Sequence, residues 1–140
     1  MIVTTPGARV NDDARSELTL PAAASAPKAA RHFLADTLHR WQVTSGVVDL
    51  ATLLTSELVT NAVRYGRGLV RLSVRTAPPA VRVEVHDDNP ALPTLGPEDD
   101  SGAEGGRGLR LIDSLATRWG THPHPGDGKD VWFEIDVRQD

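Results

Sequence analysis

The stretch LVRLSVRTAPPAVRVEVHD occupies residues 69–87 and follows directly on VVDLATLLTSELVTNAVRYG at 47–66. Apolar and polar side chains alternate in 69–76 and again in 80–87, which predicts two strands joined by a short turn. In the preceding segment the apolar residues recur at helical spacing, which predicts a helix from Val47 to Tyr65. A long helix followed by a pair of strands is therefore the centre of the predicted fold.

Shorter elements are predicted on both sides of this centre. Residues 17–20 have the pattern of a short strand, and 25–41 that of an amphipathic helix with Ser25 as its N-cap. A short helix at 109–115, a strand at 116–121 and a closing strand at 131–137 follow. Because helices come first and most strands come late, we expect an α+β two-layer sandwich with helices on one face of a mainly antiparallel mixed sheet.

Two segments lack any sustained periodicity. Residues 1–15 contain Pro6, Gly7 and paired aspartates, so we expect a flexible N-terminal segment ahead of one domain at 16–140. Residues 88–107 are rich in proline, glycine and acidic side chains. Loops of that length are uncommon in compact domains and tend to be lids or binding segments, so we expect a lid here.

Composition excludes several functional classes. The 140 residues carry a formal net charge of -4, the wrong sign for a protein held to nucleic acid by phosphate contacts. The absence of cysteine removes disulfides, thiol catalysis and thiolate metal sites. No signal segment or long apolar run is evident, so we expect a cytoplasmic protein that contacts neither membrane nor nucleic acid directly.

Glu57 and Asn61 are four residues apart on the predicted long helix, and so lie on one side of it. Asn61 falls between Leu50 and Leu54, within the apolar stripe, where a polar side chain needs a partner. In one interpretation Asn61 bonds nearby backbone and Glu57 pairs with an arginine. In the other, the Asn61 amide oxygen binds a hard cation such as Mg²⁺, and Glu57 orients or deprotonates a nucleophile.

HDDNP, at 86–90, ends a strand where the predicted lid begins. A carboxylate there can accept a hydrogen bond from an exocyclic amine such as that of adenine, although the same residues are also typical of a simple turn. EGGRGLRLID, at 104–113, runs from glycines into a helix. This can be an ordinary helix start. It can also be a phosphate-binding site, because glycines allow close approach of the backbone and the unpaired amides at a helix start favour anions.

The five histidines do not form a recognised metal-binding pattern. His122 and His124 flank Pro123 in a turn, and the chain has no H-E-x-x-H helix. We therefore expect solvated turn residues here and no histidine metal site.

The order of these motifs resembles the Bergerat ATP-binding fold of the GHKL superfamily. The stretches that carry the resemblance are ELVTNAVRYG (57–66), VEVHDDNPALP (83–93), GGRGLRLIDSLATRWG (105–120) and GKDVWFEI (128–135). They are most similar to the short bacterial anti-sigma-factor serine kinases and their histidine-kinase-like ATPase relatives.

The resemblance implies a role for each motif residue. Glu57 would be the general base, Asn61 the Mg²⁺ ligand and Asp87 the acceptor for the adenine amine. The remaining residues implied at the nucleotide are Asn89, Gly106, Arg107, Gly108, Leu109 and Asp130. The implied cofactors are ATP or ADP and Mg²⁺.

The resemblance also implies a function. The chain would be a regulatory protein serine/threonine kinase that transfers the ATP γ-phosphate to a serine of an anti-anti-sigma antagonist protein and sequesters a sigma factor, with a homodimer as a candidate assembly. The alternative is a nucleotide-dependent protein-interaction module without kinase activity.

Overall fold

The computed structural model describes residues 14–65, 68–89 and 104–137, which form three helices and five strands. In chain order the elements are β1 (Arg15–Pro21), α1 (Ala26–Arg40), α2 (Ser45–Tyr65), β2 (Leu69–Ala77), β3 (Ala80–Asp87), α3 (Glu104–Leu115), β4 (Arg118–Pro123) and β5 (Lys129–Asp136). The predicted α+β class is confirmed.

The five strands form a single sheet in the order β1-β2-β3-β5-β4. Each described pair of neighbours is antiparallel, so the mixed character that we expected is not present among them. The predicted pair β2 and β3 is joined by a tight turn with Ala77 opposite Ala80. Because β5 lies between β3 and β4 and runs antiparallel to β3, the last residues of β3 lie beside the first residues of β5.

Helices cover one face of the sheet, and the alternation of side chains along each strand decides which residues meet them. Helix α2 packs against α1, α3 and strands β2, β3 and β5. The residues of β3 and β5 on that face are buried, while those between them are only half-buried. The buried apolar set on these two strands is Val81, Val83, Val85, Val131, Phe133 and Ile135.

Helix α2 is the central helix of this layer. It ends at Tyr65 as predicted and begins at Ser45, slightly before the predicted start. By length and composition alone, its residues 45–64 would suffice to cross a membrane. Their apolar character is explained by packing, because α2 contacts α1, α3 and the sheet. Its buried residues are Val48, Ala51, Leu54, Thr55, Leu58, Val59 and Ala62.

The outer face of the sheet, away from the helices, carries charged side chains in register. Glu134 of β5 accepts hydrogen bonds from Nη1 of Arg82 on β3 at 2.9 Å and from Nε of Arg118 on β4 at 2.7 Å. Burial by itself would raise the pKa of Glu134, but the hydrogen bonds and charges of Arg118 and Arg82 outweigh it and hold that pKa below its usual value. Ion pairs therefore link three strands on this face.

Several predicted boundaries need correction. Helix α3 begins at Glu104, not at Leu109, and β4 spans Arg118–Pro123, not 116–121. Strand β1 includes Arg15, the last residue of the segment that we expected to be flexible. The rest of that segment, 1–13, lies outside the described residues, as does the part of the predicted lid at 90–103.

Candidate functional site

Glu57 and Asn61 lie one turn apart on α2, and both are half-buried. With 3.6 residues per turn, they fall at the edge of the buried stripe, beside Leu54 and on the same side as the exposed Leu53. A side chain at such an edge keeps its polar atoms within reach of a ligand while its stem packs. The placement suits both roles that the sequence suggested.

Asp87 lies at the end of β3, and both oxygens of its carboxylate accept hydrogen bonds from this chain. Nζ of Lys129 lies 2.8 Å from Oδ1 and 3.2 Å from Oδ2, and the backbone N–H of Asn89 donates to Oδ1 at 2.8 Å. The same ammonium donates to the carbonyl oxygen of Asn89 at 2.9 Å. The carboxylate and the ammonium are both buried. A buried carboxylate needs a donor, and Lys129 is that donor here.

Gly128 allows this pairing because of its conformation and its lack of a side chain. Its φ is +76°, in the left-handed region that side chains disfavour. A Cβ atom added at this position would collide with the backbone carbonyl of Asp87. The chain therefore passes directly against the end of β3, and the next residue, Lys129, is delivered to the carboxylate.

Asn89, where the sequence predicts a nucleotide contact, is half-buried and belongs to this same network. Its N–H bond to the Asp87 side chain two residues earlier is the pattern of an Asx turn. The turn holds the Asp87 carboxylate in place at the end of β3.

The glycine-rich stretch belongs to α3, not to a loop before it. The helix begins at Glu104, so Gly106 lies in its first turn, whereas Gly108 and Leu109 come later. Only the first N–H groups of a helix lack a partner within it, so the expected anion-binding amides move towards Glu104. The Leu109 side chain is fully buried in the core. The Arg107 side chain lies outside the part of the chain that the structure describes.

Asp130 lies on the outer face of the sheet, opposite to Asp87 and the helices. In β5 the neighbouring Lys129 and Val131 are buried on the helical side, so Asp130 points the other way. Its carboxylate is hydrogen-bonded to Nδ1 of His86 at 2.8 Å and to Nε2 of His124 at 3.0 Å. The structure thus does not bring Asp130 together with Glu57, Asn61 and Asp87.

Burial alone would raise the pKa of Asp130, yet hydrogen bonds from His124 and His86 outweigh it and lower that pKa. The carboxylate is therefore held in its ionised form at neutral pH. Together with the two imidazoles it forms a polar cluster that the sequence did not predict.

Lys129 is the residue that sequence reasoning missed. The alternating pattern of KDVWFEI puts Lys129 on the same face of the strand as Val131 and Phe133, which are buried. A lysine on a buried face needs a partner of opposite charge. This position on the buried face was the signal by which the sequence could have identified Lys129. The partner could not be read from the sequence, because Asp87 is on another strand.

The residues present suit a nucleotide in part. Asn61 offers a half-buried amide oxygen, a ligand type that Mg²⁺ accepts. The first turn of α3 offers amides to phosphate. Asp87 offers a carboxylate that already accepts hydrogen bonds from Lys129 and from the Asn89 backbone, so an adenine amine would share it with them.

The chain is similar to one protein family and to several solved structures. The model of the histidine kinase-like ATPase domain matches residues 20–135. The RsbU and RsbW domains of Rv1364c from Mycobacterium tuberculosis align with a TM-score of 0.67 at 17% identity, over 89% of this chain and 32% of that one. The blue-light activated histidine kinase EL346 of Erythrobacter litoralis aligns with a TM-score of 0.53 at 26% identity, over 68% of this chain and 32% of that one.

No curated protein matches the sequence. The similarity to the Rv1364c domains, at 17% identity, is evidence of a shared fold alone. The family model covers most of the 140 residues, including Glu57, Asn61, Asp87 and the whole of α3. From this match and the shared fold, the chain belongs to the histidine kinase-like ATPase family.

Proposed function

We propose that the chain is an ATP-dependent protein serine/threonine kinase of the anti-sigma type. It would bind ATP or ADP with Mg²⁺, phosphorylate a serine of an anti-anti-sigma antagonist and sequester a sigma factor. The observation that carries the proposal is the placement of Glu57 and Asn61, one turn apart at the half-buried edge of α2. That helix packs against β3, which ends in Asp87, and against α3.

Each of these groups has a distinct task in the proposal. Asn61 holds the metal ion through its amide oxygen, and Glu57 accepts a hydrogen bond from the incoming serine hydroxyl and orients it. Asp87 positions the adenine ring of ATP by accepting a hydrogen bond from the exocyclic amine of adenine. Bound Mg-ATP supplies the phosphoryl group and part of the charge neutralisation.

The second candidate, an interaction module without kinase activity, has its own supporting observation. The Asp87 carboxylate already accepts hydrogen bonds from Lys129 and from the Asn89 backbone. An adenine amine would have to share the carboxylate with these donors, which weakens the hydrogen bond that it can make. A chain that binds nucleotide weakly would act through protein contacts instead.

A titration of labelled ATP with and without Mg²⁺, followed by a phosphotransfer assay, separates the candidates. The kinase proposal requires saturable binding that Mg²⁺ strengthens and label on a serine of an antagonist protein. Saturable binding with no transfer to a panel of antagonist proteins supports the module. Absence of binding contradicts both.

A further inference from the structure

The corner where β3, β4 and β5 meet gathers three of the five histidines. In register, Asp130 of β5 lies between His86 of β3 and His122 of β4. Residues directly opposite one another in a sheet point to the same face, so all three lie on the outer face. The ring centre of His124 is 4.9 Å from that of His122 and 5.6 Å from that of His86.

Three of these side chains bring potential metal-ligating atoms close together. One such atom from each of His86, His124 and Asp130 lies within 4.8 Å of the other two. Nδ1 of His86 and Nε2 of His124 are bound to different oxygens of the one carboxylate. All three side chains are half-buried, which limits competition from water.

The turn between β4 and β5 fixes the position of the His124 backbone. Its N–H donates to the carbonyl of Gly128 at 2.9 Å, and its carbonyl accepts from the N–H of Asp127 at 2.7 Å. Gly126 and Gly128 both have positive φ and close the turn. A ligand anchored in this way loses little conformational entropy when a metal binds.

We propose that His86, His124 and Asp130 form a binding site for Zn²⁺. Two imidazole nitrogens and one carboxylate oxygen are ligands that zinc takes in tetrahedral sites, with water in the fourth position. Hard cations such as Mg²⁺ prefer all-oxygen ligands, so this set selects a transition metal. On binding, the hydrogen bonds from the two ring nitrogens to Asp130 are replaced by bonds to the ion, and each neutral imidazole keeps its one proton on the ring nitrogen that faces away from the metal.

The site lies back to back with the Asp87–Lys129 pair. His86 directly precedes Asp87 in β3, and Asp130 directly follows Lys129 in β5, so each strand carries one residue of both sites on opposite faces. An ion on the outer face would hold together the two strand ends that carry the buried pair. The proposal itself does not depend on nucleotide binding.

Zinc binding is tested on the untagged full chain by titrating Zn²⁺ against a chromophoric chelator. We expect one equivalent to bind, and we expect His124→Gln and Asp130→Asn each to weaken it at least as much as the roughly 10- to 100-fold typical of losing an outer-sphere partner. His124 is on the turn, so its replacement leaves the core intact, and far-UV circular dichroism checks the fold. Substituting Co²⁺ should give the intense visible absorption of a four-coordinate ion.

The remaining histidines provide the matched control. His32 and His39 are exposed on α1, far along the chain from this corner. The double variant H32Q/H39Q should bind Zn²⁺ as tightly as the original chain. The proposal is overturned if the original chain binds less than one equivalent, or if the α1 double variant loses as much affinity as His124→Gln.

Discussion

Nζ of Lys129 lies 2.8 Å from Oδ1 of Asp87, and each of the two side chains is only 7% exposed. A buried ion pair contributes little net stability, but removing one partner leaves an unpaired charge in the interior. The carboxylate that the resemblance assigns to the adenine amine is thus already part of the folded core. Stability and nucleotide binding should be opposed at this pair.

Replacing the lysine tests that opposition. Lys129→Met should lower the free energy of unfolding by about 3–5 kcal/mol, because the Asp87 carboxylate remains buried without its partner. The same change should raise the affinity for ATP and ADP by about 10- to 100-fold, the value of one hydrogen bond to a charged group. Urea unfolding and a nucleotide titration measure the two effects.

The double variant D87L/K129M separates the two contributions. Apolar residues in place of both charges should restore most of the stability, while nucleotide binding is lost. Asp87→Ala alone should weaken ATP and ADP alike. Undiminished nucleotide affinity in both variants would remove Asp87 from the site.

Gly128 and Gly126 share a positive φ but not the same surroundings. Gly128→Ala places a Cβ against the Asp87 carbonyl, so it should destabilise the fold by more than about 2 kcal/mol and displace the carboxylate. Gly126 has no atom within 4 Å of an added Cβ, so Gly126→Ala should cost only the roughly 1–2 kcal/mol of left-handed strain. Thermal unfolding of the two variants side by side gives the comparison. Equal losses of stability in the two variants would mean that the close contact between Gly128 and the Asp87 backbone contributes nothing to the cost of the substitution.

Glu57→Gln tests chemistry apart from binding. Loss of the carboxylate should leave ATP affinity nearly unchanged but slow phosphorylation of an antagonist serine by about 100- to 10,000-fold. Asn61→Ala should in addition reduce the strengthening of ATP binding by Mg²⁺. Ser56→Ala, one residue away on a different side of α2, serves as the control and should do neither. An antagonist phosphorylated equally fast by Glu57→Gln would contradict the assignment.

The ionisation of Glu134 should make the stability of the fold depend on pH. Its pKa is depressed in the folded state, so its contribution to stability is complete above the unfolded value of about 4.3 and is lost as the pH falls through the folded value. Glu134→Gln should cost about 1–2 kcal/mol at pH 7, and the deficit should shrink below pH ~4. Urea unfolding of the original chain and of Glu134→Gln, at pH 7 and at several pH values below ~4, measures the difference in stability.

Glu17→Gln is the matched change on the same sheet. Its pair with Arg15 is exposed and 3.8 Å long, so the substitution should cost less than about 0.5 kcal/mol at any pH. A Glu134→Gln deficit that stays constant with pH would contradict the ion-pair argument.

Thr55 offers a gain in stability. Its hydroxyl is fully buried in α2 and is hydrogen-bonded to none of the described residues. Thr55→Val replaces that hydroxyl with a methyl group and should stabilise the chain by about 1 kcal/mol or more. Thr52, whose hydroxyl donates to the carbonyl oxygens of Val48 and Asp49, should show no gain on the same change. A lower melting temperature for Thr55→Val would contradict this prediction.

Local patterns predicted most of the elements correctly. The strands at β2 and β3 and the end of α2 are where periodicity placed them, because alternation and helical spacing depend on neighbours in the chain. The start of α3 was missed because glycine has a low helix propensity. Burial of Leu109 and Ile112 anchors that helix in the core, which outweighs propensity.

The sequence by itself determined the class of the fold, the family-like order of motifs and the candidates Glu57, Asn61 and Asp87. Only the tertiary structure decided how the strand ends combine. Antiparallel pairing of β3 with β5 sets Lys129 opposite Asp87 on the buried face and Asp130 opposite His86 on the outer face. A period of two assigns each residue to a face but does not specify the neighbouring strand or its register. Long-range pairing set both, and with them the partners of each charge.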